Sequence, residues 1–321
     1  MKVVVSDYGF ENLDPEREAL QGVAELVALQ EYPGPEAFLR TARDADGIIS
    51  QMAPLRADVI QGLERCRVIV RYGVGVDNVD VEAATRKGIP VCNQPDYCTE
   101  EVADHTLTLA LALVRKLPAS IEQLRRGGWG QAELRPIRRL SALTFGIYGF
   151  GRIARAVAQR ARAFGFTMIA HDPYVSDAVF EEEGVKPVDP DTLLAHSDLL
   201  ALHMPLTEET RHLMNADTFG KLKRGALIVN TARGGLIHTE ALISALDSGQ
   251  VGGAALDVLE KEPIPPDHPL WQRANVFMTG HLAWYSEEAM RQLQQSVGED
   301  CARVLRGEPP RHVVNPEYRN F

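Results

Sequence analysis

The chain has 321 residues, 45% of them hydrophobic and 24% charged. At roughly 150 residues per domain that is enough for two domains with real cores, and it excludes a disordered or disulfide-stapled scaffold. Its 34 Lys and Arg stand against 44 Asp and Glu, and a net charge of -10 is the wrong sign for a protein whose main ligand is a phosphate backbone.

The opening Met1-Lys2-Val3-Val4-Val5-Ser6-Asp7 is a β-branched run with an acidic end. It lacks the long apolar segment and small-residue cleavage site of a secretory signal and reads as a core strand. Short apolar runs recur at Gly47-Ile48-Ile49, Val68-Ile69-Val70 and Pro90-Val91-Cys92, separated by stretches of helical period. That alternation argues for parallel βα units. Next comes Thr99 to Arg115, with Thr99 as N-cap and Glu100 and Glu101 in the first turn. Its apolar residues surround the helix, which is expected to lie buried between domains or subunits. Its longest apolar stretch, Leu107 to Val114, is far short of the about 20 residues of a membrane span.

A second series of six strands is predicted at Phe145–Tyr148, Thr167–Ala170, Leu199–Leu202, Ala226–Val229, Gly253–Leu256 and Asn275–Met278, the pattern of a doubly wound sheet. Pro263-Ile264-Pro265-Pro266 reads as a stiff loop. Ser286 to Arg306 carries Ala289, Leu293, Val297, Cys301 and Val304 at helical spacing and is an amphipathic helix. The cysteines, Cys66, Cys92, Cys98 and Cys301, form no CxxC pair and are expected to be idle thiols in a reducing cytoplasm.

After the strand ending at Tyr148 comes Gly149-Phe150-Gly151-Arg152-Ile153-Ala154, and then a helical period. Gly149 allows a tight turn, Gly151 lets backbone approach a pyrophosphate, and Ala154 lets helix and strand pack closely. The helix N-terminus offers free N–H groups to the phosphates. The next strand ends at Asp172, close to the spacing at which a carboxylate meets the adenosine ribose hydroxyls. No Arg follows in His171-Asp172-Pro173-Tyr174 to accept a 2′-phosphate, so the expected cofactor is NAD.

Three later strand ends carry polar residues that packing does not explain. Arg233 follows Val229-Asn230-Thr231-Ala232 and precedes two glycines, Glu262 follows Leu256-Asp257 and precedes Pro263, and His281 follows Thr279-Gly280. Ligands of open α/β sheets bind at the carboxyl ends of strands. Reduction of a 2-oxo acid needs a hydride, a proton and a cation for the carboxylate. His281 suits the proton step, Glu262 would orient its imidazole and favour the protonated form, and the Arg233 fork pairs with a carboxylate.

With these residues in place, the sequence resembles the D-isomer-specific 2-hydroxyacid dehydrogenases over essentially the whole chain. Arg233, Glu262 and His281 match that family's triad in order and approximate spacing, and Arg71-Tyr72-Gly73-Val74-Gly75-Val76-Asp77-Asn78-Val79-Asp80 resembles its substrate loop. The resemblance implies that backbone N–H groups around Gly73 to Gly75 bind the substrate carboxylate, with Arg71, Tyr72, Val74, Arg233 and Trp284 also at the substrate. It implies that Arg152, Ile153, Pro173 and Tyr174 line the cofactor with Asp172. His203, Pro205, Thr210, Thr231, Ala232, Asp257 and His281 would complete that lining, Asp257 near the nicotinamide amide. No metal is implied.

Within the family, His281-Leu282-Ala283-Trp284-Tyr285-Ser286-Glu287 and His171-Asp172-Pro173-Tyr174 look like the C-terminal binding protein branch, which places a Trp against the substrate side chain. The resemblance implies an α/β fold of two Rossmann-like or flavodoxin-like domains with doubly wound parallel sheets. The cofactor domain, residues 99–285, would be inserted into a substrate domain of residues 1–98 and 286–321, with NAD and substrate in the cleft. It further implies a D product and a homodimer. Two features depart from the family pattern: Gly280 stands where Pro is usual, and Ala154 replaces the third glycine. The chain ends soon after Asn315, so no C-terminal regulatory domain is expected. Two other readings stay open: an NAD(H)-sensing interaction protein with vestigial activity, and an enzyme for a phosphorylated substrate such as phosphoglycerate. The latter needs basic side chains, for which Arg71, Arg56 and Arg135 are candidates.

Overall fold

The computed structural model describes residues 1–321, which form two compact units, Met1–Cys98 with Ser286–Phe321 and Thr99–Tyr285. In the first unit the β-branched runs become β1 (Lys2–Val5), β3 (Gly47–Ser50), β4 (Ile69–Arg71) and β5 (Val91–Cys92). A strand not expected from sequence, β2 (Glu25–Ala28), pairs with β1 at the sheet edge. Its only apolar signal is the short Leu26-Val27-Ala28, and it is half-buried rather than buried. The order β2-β1-β3-β4-β5, all parallel, is the flavodoxin-like arrangement.

The Glu287–Leu305 helix, capped by the Ser286 hydroxyl accepting from Ala289 N, returns to this first sheet. Its buried stripe is the expected Ala289, Leu293, Val297, Cys301 and Val304. Two glycines let it approach. A Cβ at Gly47 would lie 2.7 Å from Cys301 Sγ, and one at Gly298 would lie 3.0 Å from Glu16 Cα. Cys92, Cys98 and Cys301 are buried and Cys66 half-buried, all of them free thiols. Burial pushes Cys66 and Cys92 up to about 12, so they stay protonated and unreactive at neutral pH.

The second unit contains the six expected strands, β6 (Thr144–Tyr148), β7 (Thr167–His171), β9 (Leu199–Leu202), β10 (Ala226–Asn230), β11 (Val251–Leu256) and β12 (Val276–Met278). It adds a two-residue edge strand, β8 (Lys186–Pro187), whose proline is tolerated at an edge. The order β12-β11-β10-β9-β6-β7-β8 reverses direction between β6 and β9, the switch point of a doubly wound dinucleotide fold. β9 is buried on both faces, with Leu199 and Ala201 in one core and Leu200 and Leu202 in the other. That is why it reads as a continuous apolar run.

The helix at Thr99–Val114 begins with Thr99 as its first helical residue rather than as cap. It packs against the Arg152–Ala163 helix and against β10 and β11, inside the second unit, with Glu100, Asp104 and Thr108 exposed along one side. Within its own unit it is a core helix with a narrow polar stripe, as the burial expected from its apolar residues requires.

Candidate active site

At the fingerprint turn, Gly149 has φ +85, and a Cβ there would lie 2.8 Å from the His203 carbonyl carbon and from Met204 N. The turn is thus pressed against the end of β9, which only glycine allows. Gly151 is the residue before the Arg152–Ala163 helix, and nothing lies within 4 Å of where its Cβ would be. Open space at that point, in front of a helix N-terminus, is what a pyrophosphate requires. Ala154 is buried at the first turn of the helix and Ile153 half-buried, while Arg152 is exposed.

Asp172 ties this turn to the end of β7. Its Oδ2 accepts from Phe150 N at 2.7 Å and its Oδ1 from Tyr174 N at 2.9 Å. Each oxygen keeps a lone pair for a ribose hydroxyl, and Pro173 and Tyr174 beside it are exposed. After β9, the buried Nε2 of His203 has no hydrogen-bond partner, and burial pushes its imidazole down to about 4, leaving it neutral. An unpartnered buried nitrogen next to the turn, together with the open space at Gly151, fits a bound dinucleotide. Pro205 and Thr210 form one turn, the Thr210 hydroxyl donating to the Pro205 carbonyl at 2.7 Å and accepting from Thr207 N.

The triad residues sit on the loops after β10, β11 and β12. Asn230 organises the first loop, its side chain accepting from Ala232 N at 3.1 Å and donating to the Arg233 carbonyl at 2.9 Å. Thr231 is buried with its hydroxyl 2.7 Å from that of Thr106. Gly234 holds the next contact, since a Cβ there would lie 1.9 Å from the Leu259 carbonyl carbon. This glycine lets the Arg233 loop lie directly on the loop that carries Glu262.

Glu262 Oε1 accepts from Leu259 N at 2.8 Å, and Oε2 meets His281 Nδ1 at 2.7 Å. Both side chains remain about one-third exposed, at 31% and 33%. Burial alone would raise the Glu262 carboxyl. The hydrogen bonds from His281 and Leu259 N, with the positive charge of His281 and Arg233, hold it below its ordinary value. The carboxylate is therefore ionised and orients the imidazole through Nδ1.

His281 itself has φ +55, a left-handed conformation that costs a non-glycine residue about 1–2 kcal/mol. Asp257 offsets it. Its carbonyl accepts from His281 N at 2.8 Å, its Oδ1 from Leu282 N at 3.0 Å and its Oδ2 from Ala283 N at 2.9 Å. The carboxylate is 1% exposed, an internal role that the expectation of a nicotinamide contact did not include. Trp284 also braces this loop, donating Nε1–H to the His281 carbonyl at 3.0 Å.

In the first unit, the loop after β4 is held from several sides. Gly73 has φ +134, and a Cβ there would meet the Arg71 guanidinium at 1.8 Å, so glycine lets that cation lie over the turn. Asn93 Nδ2 donates to the Val74 carbonyl at 2.6 Å and Gln94 N to the Gly73 carbonyl at 2.9 Å. Gly73 N donates to the Arg71 carbonyl, while Val74 N and Gly75 N donate to no group of the protein. Tyr72 differs from its expected place at the substrate. Its ring is 2% exposed, its N–H donates to the Ser50 carbonyl and its hydroxyl donates to Glu16 Oε1 at 2.8 Å. Tyr72 anchors the loop. Of the basic candidates, Arg56 donates to the Asp77 carbonyl in this same unit, whereas Arg135 belongs to the second unit.

Sequence reasoning missed Asn230, His105 and Thr279 around the triad, and Asp7, Asn93 and Gln94 in the first unit. Asp7 accepts from the backbone of Gln51, Met52 and Ala53. The available signal was a polar residue at a strand end, as in Ser6-Asp7 and Val229-Asn230, since a buried polar group must find partners.

A doubly wound sheet with a phosphate-ready turn at its switch point and an Arg, Glu and His on neighbouring strand ends defines a dinucleotide-dependent oxidoreductase fold. The sequence profile described as "D-isomer specific 2-hydroxyacid dehydrogenase, NAD binding domain" matches residues 107–283. The chain is 43% identical over 282 residues to a D-3-phosphoglycerate dehydrogenase of Methanocaldococcus jannaschii, covering 87% of this chain and 53% of that one. It is 38% identical over 290 residues to a glyoxylate reductase of Korarchaeum cryptofilum, covering 89% and 87%. Among solved structures, a glyoxylate reductase from Paecilomyes thermophila superposes with a TM-score of 0.90 at 31% identity, covering 99% of this chain and 98% of that one. The chain belongs to the D-isomer specific 2-hydroxyacid dehydrogenase family, and its second unit is that family's NAD-binding domain. It spans about half the length of the phosphoglycerate dehydrogenases it matches and most of the length of the glyoxylate reductases.

Proposed function

We propose that the protein catalyses the reversible, NAD-dependent reduction of a small 2-oxo acid to the D-2-hydroxy acid. The observation that carries this reading is the 2.7 Å pair between His281 Nδ1 and Glu262 Oε2, with Arg233 close enough for its charge to lower the Glu262 carboxyl. NADH, when bound, supplies a hydride to the carbonyl carbon. His281 gives its Nε2 proton to the carbonyl oxygen, and Glu262 stabilises the imidazole through the change of charge. Arg233 pairs with the substrate carboxylate. Asp172 selects NAD by accepting from the ribose hydroxyls.

The likeness to glyoxylate reductases along most of both chains supports a short, unphosphorylated acid. A homodimer through the second unit is supported by the exposed Leu117, Ile121 and Leu124 on one side of the Leu117–Arg125 helix and by Trp129, 88% exposed. No helix is long and apolar enough to cross a membrane, and the free thiols fit a reducing cytoplasm.

The test is the initial rate of NADH oxidation with glyoxylate, pyruvate, bulkier apolar 2-oxo acids and 3-phosphohydroxypyruvate. Turnover of the short acids, lowered about 10²-fold or more by His281→Ala with NADH binding retained, is expected. Turnover of the phosphorylated acid alone would transfer the reading to a phosphoglycerate dehydrogenase. NADH binding without turnover would favour a sensing protein like the C-terminal binding protein branch.

A further inference from the structure

The loop that carries His281 is held by a chain of polar contacts that begins on a helix far away in sequence. Asp257 accepts from the consecutive amides of His281, Leu282 and Ala283. Its Oδ1 also accepts from the Thr279 hydroxyl at 2.5 Å. The Thr279 oxygen in turn lies 3.0 Å from Nε2 of His105, on the Thr99–Val114 helix, and that nitrogen is 3.6 Å from Asp257 Oδ1. The hydroxyl has a single proton, and the short contact gives it to the carboxylate. His105 must therefore be the donor to Thr279, with its proton on Nε2. A hydroxyl that accepts from one partner while donating to another is polarised and fixed in rotation. The Asp257 carboxylate is 1% exposed and the His105 side chain 18%, so water competes little for these contacts.

We propose that His105 is a positioning residue for proton transfer. Its Nε2–H fixes the Thr279 hydroxyl, Thr279 fixes the Asp257 carboxylate, and Asp257 holds the backbone that keeps His281 at φ +55. The imidazole reaches Glu262 from that left-handed conformation, so loosening Asp257 frees His281 to leave the pair. The proposal rests on the reading of His281 as the acid of the reaction. It adds a residue that acts through Thr279 and Asp257 and does not alter the chemical step itself.

The experiment compares His105→Leu and Thr279→Val, which remove the contact from its two ends, with His105→Gln and Thr279→Ser, which keep a donor and a hydroxyl. For each, kcat, KM, the NADH dissociation constant and the melting temperature are measured on the full chain. In parallel the imidazole resonances of His281, assigned by their loss in His281→Gln, are followed by ¹H–¹⁵N NMR. The two apolar variants are expected to lower kcat about 10-fold or more, with KM and NADH affinity within about 3-fold. The double variant should be no worse than the poorer single one, because both remove the same contact. His105→Gln and Thr279→Ser should recover kcat to within about 3-fold. The His281 signals should shift or broaden in the apolar variants and stay in place in the conservative ones.

An unchanged kcat and unmoved His281 signals in folded His105→Leu or Thr279→Val would overturn the proposal. So would a His105→Gln variant as impaired as His105→Leu, which marks a purely packing role. If the wild-type chain turns over no 2-oxo acid, the functional reading fails. The NMR comparison still judges whether His105 positions His281.

Discussion

Gly234 lies where the loop that carries Arg233 presses on the loop that carries Glu262, and adding one methyl group there tests whether their spacing matters. A Cβ at this position would lie 1.9 Å from the Leu259 carbonyl carbon, 2.0 Å from its oxygen and 2.5 Å from Glu260 N. All three are backbone atoms, so no rotamer change relieves the overlap. The loops must separate by about 1.5 Å to reach the 3.4 Å at which ordinary contact begins. Leu259 N is the donor to Glu262 Oε1, so the displacement passes to the carboxylate that orients His281. A misplacement of about 1 Å costs on the order of 10²-fold in rate, and the overpacking itself costs about 1–3 kcal/mol of stability. Gly234→Ala is therefore expected to lower kcat/KM for the best 2-oxo acid about 10²-fold and to melt several degrees below wild type. Gly235→Ala is the control, because its methyl would meet only the flexible ends of side chains, Leu206 at 2.9 Å and Arg211 at 3.4 Å, and its loss should stay within about tenfold. Equal losses in the two variants, or a fully active Gly234→Ala, would refute the account of the loop contact.

Gly151→Ala is expected to melt like wild type, since nothing lies within 4 Å of the added methyl, while NADH binding measured by fluorescence weakens about tenfold or more. An unchanged affinity would mean the pyrophosphate lies elsewhere. Glu16 is buried between Tyr72 and Gln294, and desolvation raises its carboxyl above 4.5 despite their hydrogen bonds. Because the folded-state value is raised, its contribution to stability is fully present below 4.5 and is lost as pH rises through the folded value. Glu16→Gln should therefore melt higher than wild type at pH 8, with the gap closing below pH 4.5. Parallel melting curves across that range would exclude Glu16 as the cause. Trp284→Phe removes the Nε1–H donor to the His281 carbonyl and should lower turnover on glyoxylate and on bulky acids by a similar factor. A selective loss on bulky acids would return Trp284 to the substrate contact implied by the resemblance.

The strands and the triad were legible because their signals are local. β9 is a run of four apolar residues buried on both faces, and Arg233, Glu262 and His281 each follow an apolar strand, which for His281 is the shorter, half-buried β12. What was not legible depends on contacts between distant segments. β2 and β8 are edge strands with half-buried or exposed residues, so no alternation marks them. The inward turn of Tyr72 is set by Glu16, 56 residues earlier, and by the helix that supplies Gln294. Periodicity correctly found the Thr99–Val114 helix to be buried but cannot name what buries it. Tyr72 and Gly73 use their amides within the chain, donating to the Ser50 and Arg71 carbonyls, a distinction that a glycine-rich sequence does not carry.

The native cysteines have a practical consequence for spectroscopy. Thiols held protonated inside the first unit are poor nucleophiles toward maleimides or iodoacetamides at neutral pH. An engineered cysteine on the exposed side of the Leu117–Arg125 helix, such as Ile121→Cys, would be the reactive thiol without removal of any native one. A spin label there would test the proposed homodimer through the distance between two copies, on a chain otherwise identical to the natural one.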